Sequence, residues 1–267
     1  MNKEMKIYKV LNADDPKIED NQIPRVYFNG KIFGKHYAIA LSLFEGTLGD
    51  YYAEDNPKKS RLSDVDILYV FLQAVKGLKY LSSKNVVHND IKPNNLFYRG
   101  REVFVGDFDQ SSLNGEKSLG NTPLFASANY FANKTRHPRD DLESLVYTIW
   151  FLAGVPMEMI KDEKSPIPAF IRISEGRALF ENLKKGKTNA RQKIMKKCKY
   201  LKNKYVRGVF EDIWDSELLA PSDQTVPHYD GIIVIIIDAI NSISKNKHAI
   251  QGDWFSDGCC AVLSFCS

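Results

Sequence analysis

The sequence predicts an α+β fold, with a small β portion ahead of a larger, mainly helical body. Three observations carry this. Strand-like runs at residues 25–28 and 36–41 flank Asn29-Gly30, a hairpin-type turn signal. Behind a capping Ser63, apolar residues recur at helical spacing through Ile67, Leu68, Phe71, Ala74, Val75, Leu78 and Leu81. Residues 141–153 are apolar nearly all round, as in a buried helix, and Gly154-Val155-Pro156 stops them.

The remaining elements follow in order. Residues 3–11 read as a short helix and residues 12–24, rich in Asn, Asp and Pro, as a loop. Residues 96–98 and 102–105 form a hairpin around Arg99-Gly100. Residues 110–138 carry Ser, Asn, Gly and Pro and read as an extended loop. Residues 231–240 are ambiguous, because their β-branched run suits a strand as well as a final helix.

Composition narrows the class. With 43% hydrophobic residues in a 267-residue chain, a sizeable core is available. The longest apolar run, residues 232–237, falls far short of the ~18–20 residues that span a membrane. The charged start, Met1-Asn2-Lys3-Glu4, lacks the apolar centre of a signal peptide. Cys259, Cys260 and Cys266 crowd the C-terminal end without zinc-ligand spacing, which suits free thiols in a reducing compartment. An intracellular setting, cytoplasm or nucleus, is expected. The net charge of +4 is concentrated in residues 184–207, where lysines and arginines occur without an acid. That run is either a solvated face or a dock for acidic or phosphorylated partners. Too few aromatics interleave with it to favour nucleic acid.

The chemistry lies in one short stretch, Val87-His88-Asn89-Asp90-Ile91-Lys92-Pro93-Asn94-Asn95. It sets a carboxylate, a lysine and an amide at D-x-K-x-x-N spacing. Asp107-Phe108-Asp109 follows behind the strand-like Val103-Phe104-Val105. Phosphoryl transfer uses such parts. A carboxylate (Asp90) accepts the hydroxyl proton and a cation (Lys92) steadies the moving phosphoryl group. An Asn–Asp pair, Asn95 and Asp107, holds Mg²⁺.

These residues resemble the catalytic and metal loops of eukaryotic protein kinases. Arg139-Asp140-Asp141-Leu142-Glu143-Ser144-Leu145 is similar to the opening of the central helix in the casein kinase I family. Asn121-Thr122-Pro123-Leu124-Phe125-Ala126-Ser127 resembles that family's activation segment, and the vaccinia-related kinases share much of the pattern. The resemblance implies a protein-kinase-like fold. Residues 1–42 would be the remnant of a β N-lobe, 43–245 a helical C-lobe and 246–267 a tail. It implies ATP and Mg²⁺ as cofactors and a protein substrate. Glu4 would match the helix glutamate that pairs with a strand lysine in active members. Leu43 and Phe44 would offer backbone groups to adenine, Phe97 would floor the adenine pocket, and Asp141 would hold the catalytic loop. Gly46-Thr47-Leu48-Gly49-Asp50 would begin the next helix.

Several positions depart from the pattern. The 267 residues contain no G-x-G-x-x-G run, and only three residues precede Glu4, so most of the N-lobe is expected to be missing. Gly30-Lys31-Ile32-Phe33-Gly34-Lys35 mimics a phosphate loop but suits a hairpin turn better. Asn89 stands where many kinases have arginine, and Asp109 replaces a glycine, adding charge beside the metal ligands. Two functions therefore stand open. One is a serine/threonine kinase of casein kinase I type. The other is a pseudokinase that acts as a binding module, with a partner covering the open strand edge.

Overall fold

The computed structural model describes residues 3–34, 36–51, 62–116, 122, 125–131, 134–153, 204–215 and 226–245. The fold is α+β, as the sequence predicts. Helix α1 (Lys3–Val10) is followed by a 3₁₀ turn over Pro16–Asn21, inside a stretch the sequence marks as loop. Asp15 caps that turn by accepting the Lys17 N–H at 2.8 Å, with Pro16 at its first position.

Strands β1 (Val26–Ile32) and β2 (His36–Leu41) form an antiparallel hairpin. The turn is not at Asn29-Gly30. Asn29 and Gly30 pair with Ile39 and Ala38 inside the sheet, and the chain reverses at Phe33-Gly34 with φ of 49° and 68°. The Phe28 ring explains the glycine. A Cβ on Gly30 would lie 3.2 Å from Phe28 Cζ, so the ring lies over the bare glycine.

The expected helix at residues 46–50 is instead a two-residue strand, β3 (Gly46–Thr47), and a 3₁₀ turn over Leu48–Tyr51. The Asp50 carboxylate accepts the Thr47 N–H at 2.7 Å, and a Cβ on Gly46 would meet that carboxylate at 2.8 Å. The glycine is what lets the turn close.

Helix α2 (Asp64–Ser83) begins where predicted. Ser63 and Asp66 form a reciprocal capping box, and Ile67, Leu68, Phe71, Ala74, Val75, Leu78 and Leu81 are all buried. Strand β4 (Val86–Val87) leads into the site. Strands β5 (Leu96–Arg99) and β6 (Glu102–Val105) form the predicted hairpin, with β3 on the outer edge of β5. A Cβ on Gly77 of α2 would meet Val105 Cγ2 at 2.8 Å, so α2 and β6 pack in close approach. The stretch predicted as one loop carries β7 (Ser112–Leu113), paired with β4, and a short helix, α3 (Ala128–Phe131).

Helix α4 (Pro138–Leu152) is buried on nearly every face, as expected, and starts three residues earlier than its apolar run. The extra turn comes from Pro138 at the first position and from Asp140, which accepts the His137 N–H at 2.7 Å. Helices α5 (Lys204–Asp215) and α6 (Tyr229–Lys245) complete the body. Residues 231–240 are thus helical. Ile232, Ile236, Ile240 and Ile243 lie on one buried face, and that packing overrides the β-branched preference.

One continuous apolar core joins α1 and the first 3₁₀ turn to α2, α4, α5 and α6. No described helix is long and apolar enough to cross a membrane. The cysteines at 259, 260 and 266, the stop at residues 154–156 and most of the basic run lie outside the described residues.

Candidate active site

Strand β4 delivers the chain to His88, where a left-handed residue, Asn89 (φ 70°), turns it. Asp141 at the start of α4 fixes that turn. Its two oxygens accept the His88 N–H at 2.6 Å and the Asn89 N–H at 2.8 Å. Burial pushes the Asp141 carboxyl up to about 7, with the two N–H donors opposing. The Asn89 side chain donates to Val87 O at 3.3 Å, Gln110 O at 3.1 Å and Ser112 Oγ at 2.9 Å, stapling β4 to β7. The asparagine thus ties the turn to the chain around it.

His88 is wholly buried. Its Nδ1 accepts the Asp90 N–H at 3.3 Å, so Nε2 carries the proton and donates to Gly106 O at 2.9 Å. Burial lowers its pKa, in keeping with a neutral ring. The ring links Asp90 to the strand end that carries Asp107.

Asp90 is held by both oxygens. Lys92 Nζ donates to Oδ2 at 2.6 Å and the Thr122 N–H to Oδ1 at 2.7 Å. Burial works to raise its pKa, but the Lys92 and Thr122 hydrogen bonds hold it below the usual carboxylate range. Asp90 is therefore ionised at neutral pH. Lys92 Nζ also donates to Thr122 Oγ1 at 3.1 Å. The Asn95 side-chain nitrogen donates to Asp90 O at 2.9 Å and Oδ2 at 3.3 Å.

The same Asn95 ties down the second loop, since its carbonyl accepts the Gly106 N–H at 3.1 Å. Asp107 follows in a left-handed conformation (φ 62°) and is exposed. Phe108 is buried between Tyr8 of α1 and His88, with ring centroids 5.1 and 5.2 Å away. Glu4 accepts the Phe108 N–H. Burial raises its pKa, and the nearby Asp107 and Asp109 carboxylates raise it further. Asp109 is exposed and accepts from Gln110 Nε2 at 3.0 Å.

Leu43, Phe44 and Phe97 meet on the other flank. The Phe44 ring packs on Phe97 at 5.3 Å and on Phe104 at 5.0 Å, while Leu43 is 88% exposed. Gly106 makes room for Phe97, since a Cβ there would meet its ring at 2.9 Å. Most of the residues singled out from the sequence thus fall along linked segments, while Leu43 stands exposed. Asp90, Lys92 and Asn95 are joined by hydrogen bonds, Asp107 follows the Gly106 held by Asn95 and His88, Glu4 feels the Asp107 charge, and Phe97 borders Gly106. Thr122 and His88 were not foreseen as parts of the site. The D-x-K-x-x-N spacing shows no residue 32 positions downstream, and the histidine's use depends on Gly106, 18 positions on.

The donor set fits Mg²⁺. An amide oxygen and an exposed carboxylate are hard ligands, and a magnesium site needs only one or two protein groups beside water and phosphate. Among the described residues no three His, Cys, Asp or Glu side chains form a denser metal cluster.

A family model described as the protein kinase domain matches residues 4–168. The casein kinase 1-like protein HD16 of Oryza sativa subsp. japonica is 30% identical over 149 residues, covering 49% of this chain and 20% of that protein. The chain therefore spans a fifth of the length of that curated relative. The solved structure of the Cydia pomonella Granulovirus kinase, PK-1, superposes with a TM-score of 0.48 at 18% identity, covering 56% of this chain and 55% of that one.

Proposed function

The chain belongs to the protein kinase domain family, and we propose that it transfers the γ-phosphoryl group of ATP to serine or threonine hydroxyls of proteins, as a kinase of casein kinase I type. The observation that carries this is the Asp90 carboxylate, ionised and fixed through both oxygens by Lys92 and Thr122.

In this reading the substrate oxygen attacks the γ-phosphorus while its proton passes to Asp90. The bond to the bridging oxygen breaks and ADP leaves. Lys92 lies within 2.6 Å of that base and balances charge on the transferred group. Thr122, bonded to both, sets the spacing between them. Leu43 and Phe44 present backbone groups to adenine, Phe97 supports the ring, and Glu4 fixes the Phe108 backbone beside Asp107. Asn95 and Asp107 would hold Mg²⁺, which would neutralise phosphate charge when bound. Residues 1–42 serve as the small-lobe part, 43–245 as the large lobe and 246–267 as a tail, in an intracellular protein with acidic or phosphorylated protein substrates.

A second reading is a pseudokinase scaffold, a binding module without turnover, with a partner on the open hairpin. Asp109 favours it, because its carboxylate adds to the charge already raising the Glu4 pKa beside Asp107.

Thermal melting with Mg·ATP, on this chain and on Asp107→Ala, tests both. A ligand bound only by the folded state raises the melting temperature. A Mg-dependent rise lost in the variant, with phosphate transfer to an acidic protein, supports the kinase. A rise without transfer selects the scaffold. No rise with folded protein removes the kinase and leaves the scaffold.

A further inference from the structure

Phe44 and Ser42 flank Leu43 in the proposed adenine-holding segment, and a single arginine is linked to each through one intervening side chain. Arg99, at the end of β5, extends its guanidinium fork to Glu19 on the first 3₁₀ turn. Nη1 lies 3.2 Å from Oε1 and Nη2 3.2 Å from Oε2. Glu19 Oε1 also accepts the Ser42 hydroxyl at 2.5 Å. That hydroxyl oxygen accepts the Arg25 N–H at 2.9 Å, and Ser42 is 6% exposed. On its other side the Arg99 guanidinium stacks over Phe104, 5.0 Å from the ring centroid, and Phe44 packs on that same ring at 5.0 Å.

We propose that Arg99 is a positioning residue for the nucleotide site, holding residues 42–44 from both ends, through Glu19 to Ser42 and through Phe104 to Phe44. The inference rests on the reading of residues 43 and 44 as the adenine contact. An exposed ion pair alone contributes little. Here the fork is bidentate, its carboxylate is shared with a buried hydroxyl, and its charge lies over an aromatic ring. Partial burial opposes ionisation of Glu19, yet hydrogen bonds from Arg99 and Ser42 hold its pKa below the usual range. None of these groups touches Asp90, so their loss acts on nucleotide binding and leaves the chemical step alone.

The test uses Arg99→Ala, Arg99→Lys and Glu19→Gln, with Glu102→Gln as the control. Glu102 contacts Arg99 at 3.1 Å but is the more exposed partner. Calorimetry with Mg·ADP and steady-state kinetics should show Kd and the KM for ATP raised about fivefold to tenfold in Arg99→Ala and Glu19→Gln. The turnover number and the acceptor KM should stay near parent values. Lysine, lacking the fork, should restore little, and Glu102→Gln should match the parent. A drop in turnover with unchanged KM, or full rescue by lysine, would overturn the proposal.

Amide hydrogen exchange separates this from the functional reading. The Ser42 N–H donates to Arg25 O and the Glu45 N–H to Tyr98 O, each at 2.9 Å. If no variant or parent binds nucleotide, faster exchange at these two amides in Arg99→Ala and Glu19→Gln still supports the brace. Exchange equal to the parent's would sink it.

Discussion

Residues 86–95 and the β1–β2 hairpin are both short, largely extended stretches, and they are held in opposite ways. In the first, the turn at His88-Asn89 is fixed from elsewhere in the chain. Asp141 binds two consecutive N–H groups, Ser111 Oγ donates to His88 O at 3.2 Å, and Asn89 reaches three acceptors. In the second, the strands bind chiefly each other, and Tyr27, Phe28, Phe33 and Tyr37 stand in solvent. Even the cations there are spent on the surface, with Arg25 over Tyr27 and Lys31 over Tyr37. The contrast teaches where order is concentrated. Groups that must keep sub-ångström relations are anchored by buried, charge-assisted bonds from a distant helix. The hairpin needs only its register.

The largest effect is expected where that anchor is cut. Asp141→Ala strands two buried N–H groups, each costing roughly 1–3 kcal/mol, and should lower unfolding stability by about 2–5 kcal/mol in urea titration. A loss below about 1 kcal/mol would mean the loop is held by something else, and the comparison would fail.

The same carboxyl has a pH signature. Its folded pKa of about 7 lies above the ordinary 3.8, so between those values the folded state binds more protons than the unfolded. Its contribution to stability therefore falls as pH rises from near 4 to near 7. His88 acts oppositely. Burial lowers its pKa from 6.5, so its contribution rises with pH up to that value. The difference in melting temperature between parent and Asp141→Asn isolates the first term. The parent should lose ground relative to the variant as pH rises through that window. A flat difference would show that the acid is not buried as drawn.

Gly106→Ala probes the seam between the two loops. The new Cβ would meet Phe97 at 2.9 and 3.1 Å and Pro24 at 3.1 Å. Overpacking of this kind costs about 1–3 kcal/mol. Since Gly106 O also accepts from His88, Mg-dependent nucleotide binding should weaken along with stability. Unchanged melting would show that Phe97 and Pro24 move aside freely.

These expectations also mark how far the sequence could be read. Helix α2 was legible because its signals are local, a capping serine and an apolar stripe at period 3.6. The D-x-K-x-x-N loop and the strand before Asp107 were legible because they are short and contiguous. The hairpin turn was misplaced because Asn29-Gly30 is a stronger local signal than Phe33-Gly34, while the register is decided by pairing across the sheet and by the Phe28 ring. Helix α6 was undecided because its isoleucines suit either period, and only packing against α2 selects one. Thr122 and the Arg99–Glu19–Ser42 contacts were invisible because they join residues 32, 80 and 23 positions apart.

The smallest expected effect falls on the hairpin and sharpens the contrast most directly. Phe33 is 92% exposed and holds φ at 49°, a region bulky L-residues rarely adopt. It gives no core packing in return for that backbone cost. Phe33→Asn should therefore be neutral or stabilising by about 0.5 kcal/mol, since asparagine tolerates the left-handed region. It should also reduce self-association by removing an exposed aromatic. The urea midpoint should rise or hold, and light scattering should fall. A destabilisation above about 1 kcal/mol would show that Phe33 is packed against something, and that the hairpin is as firmly held as residues 86–95.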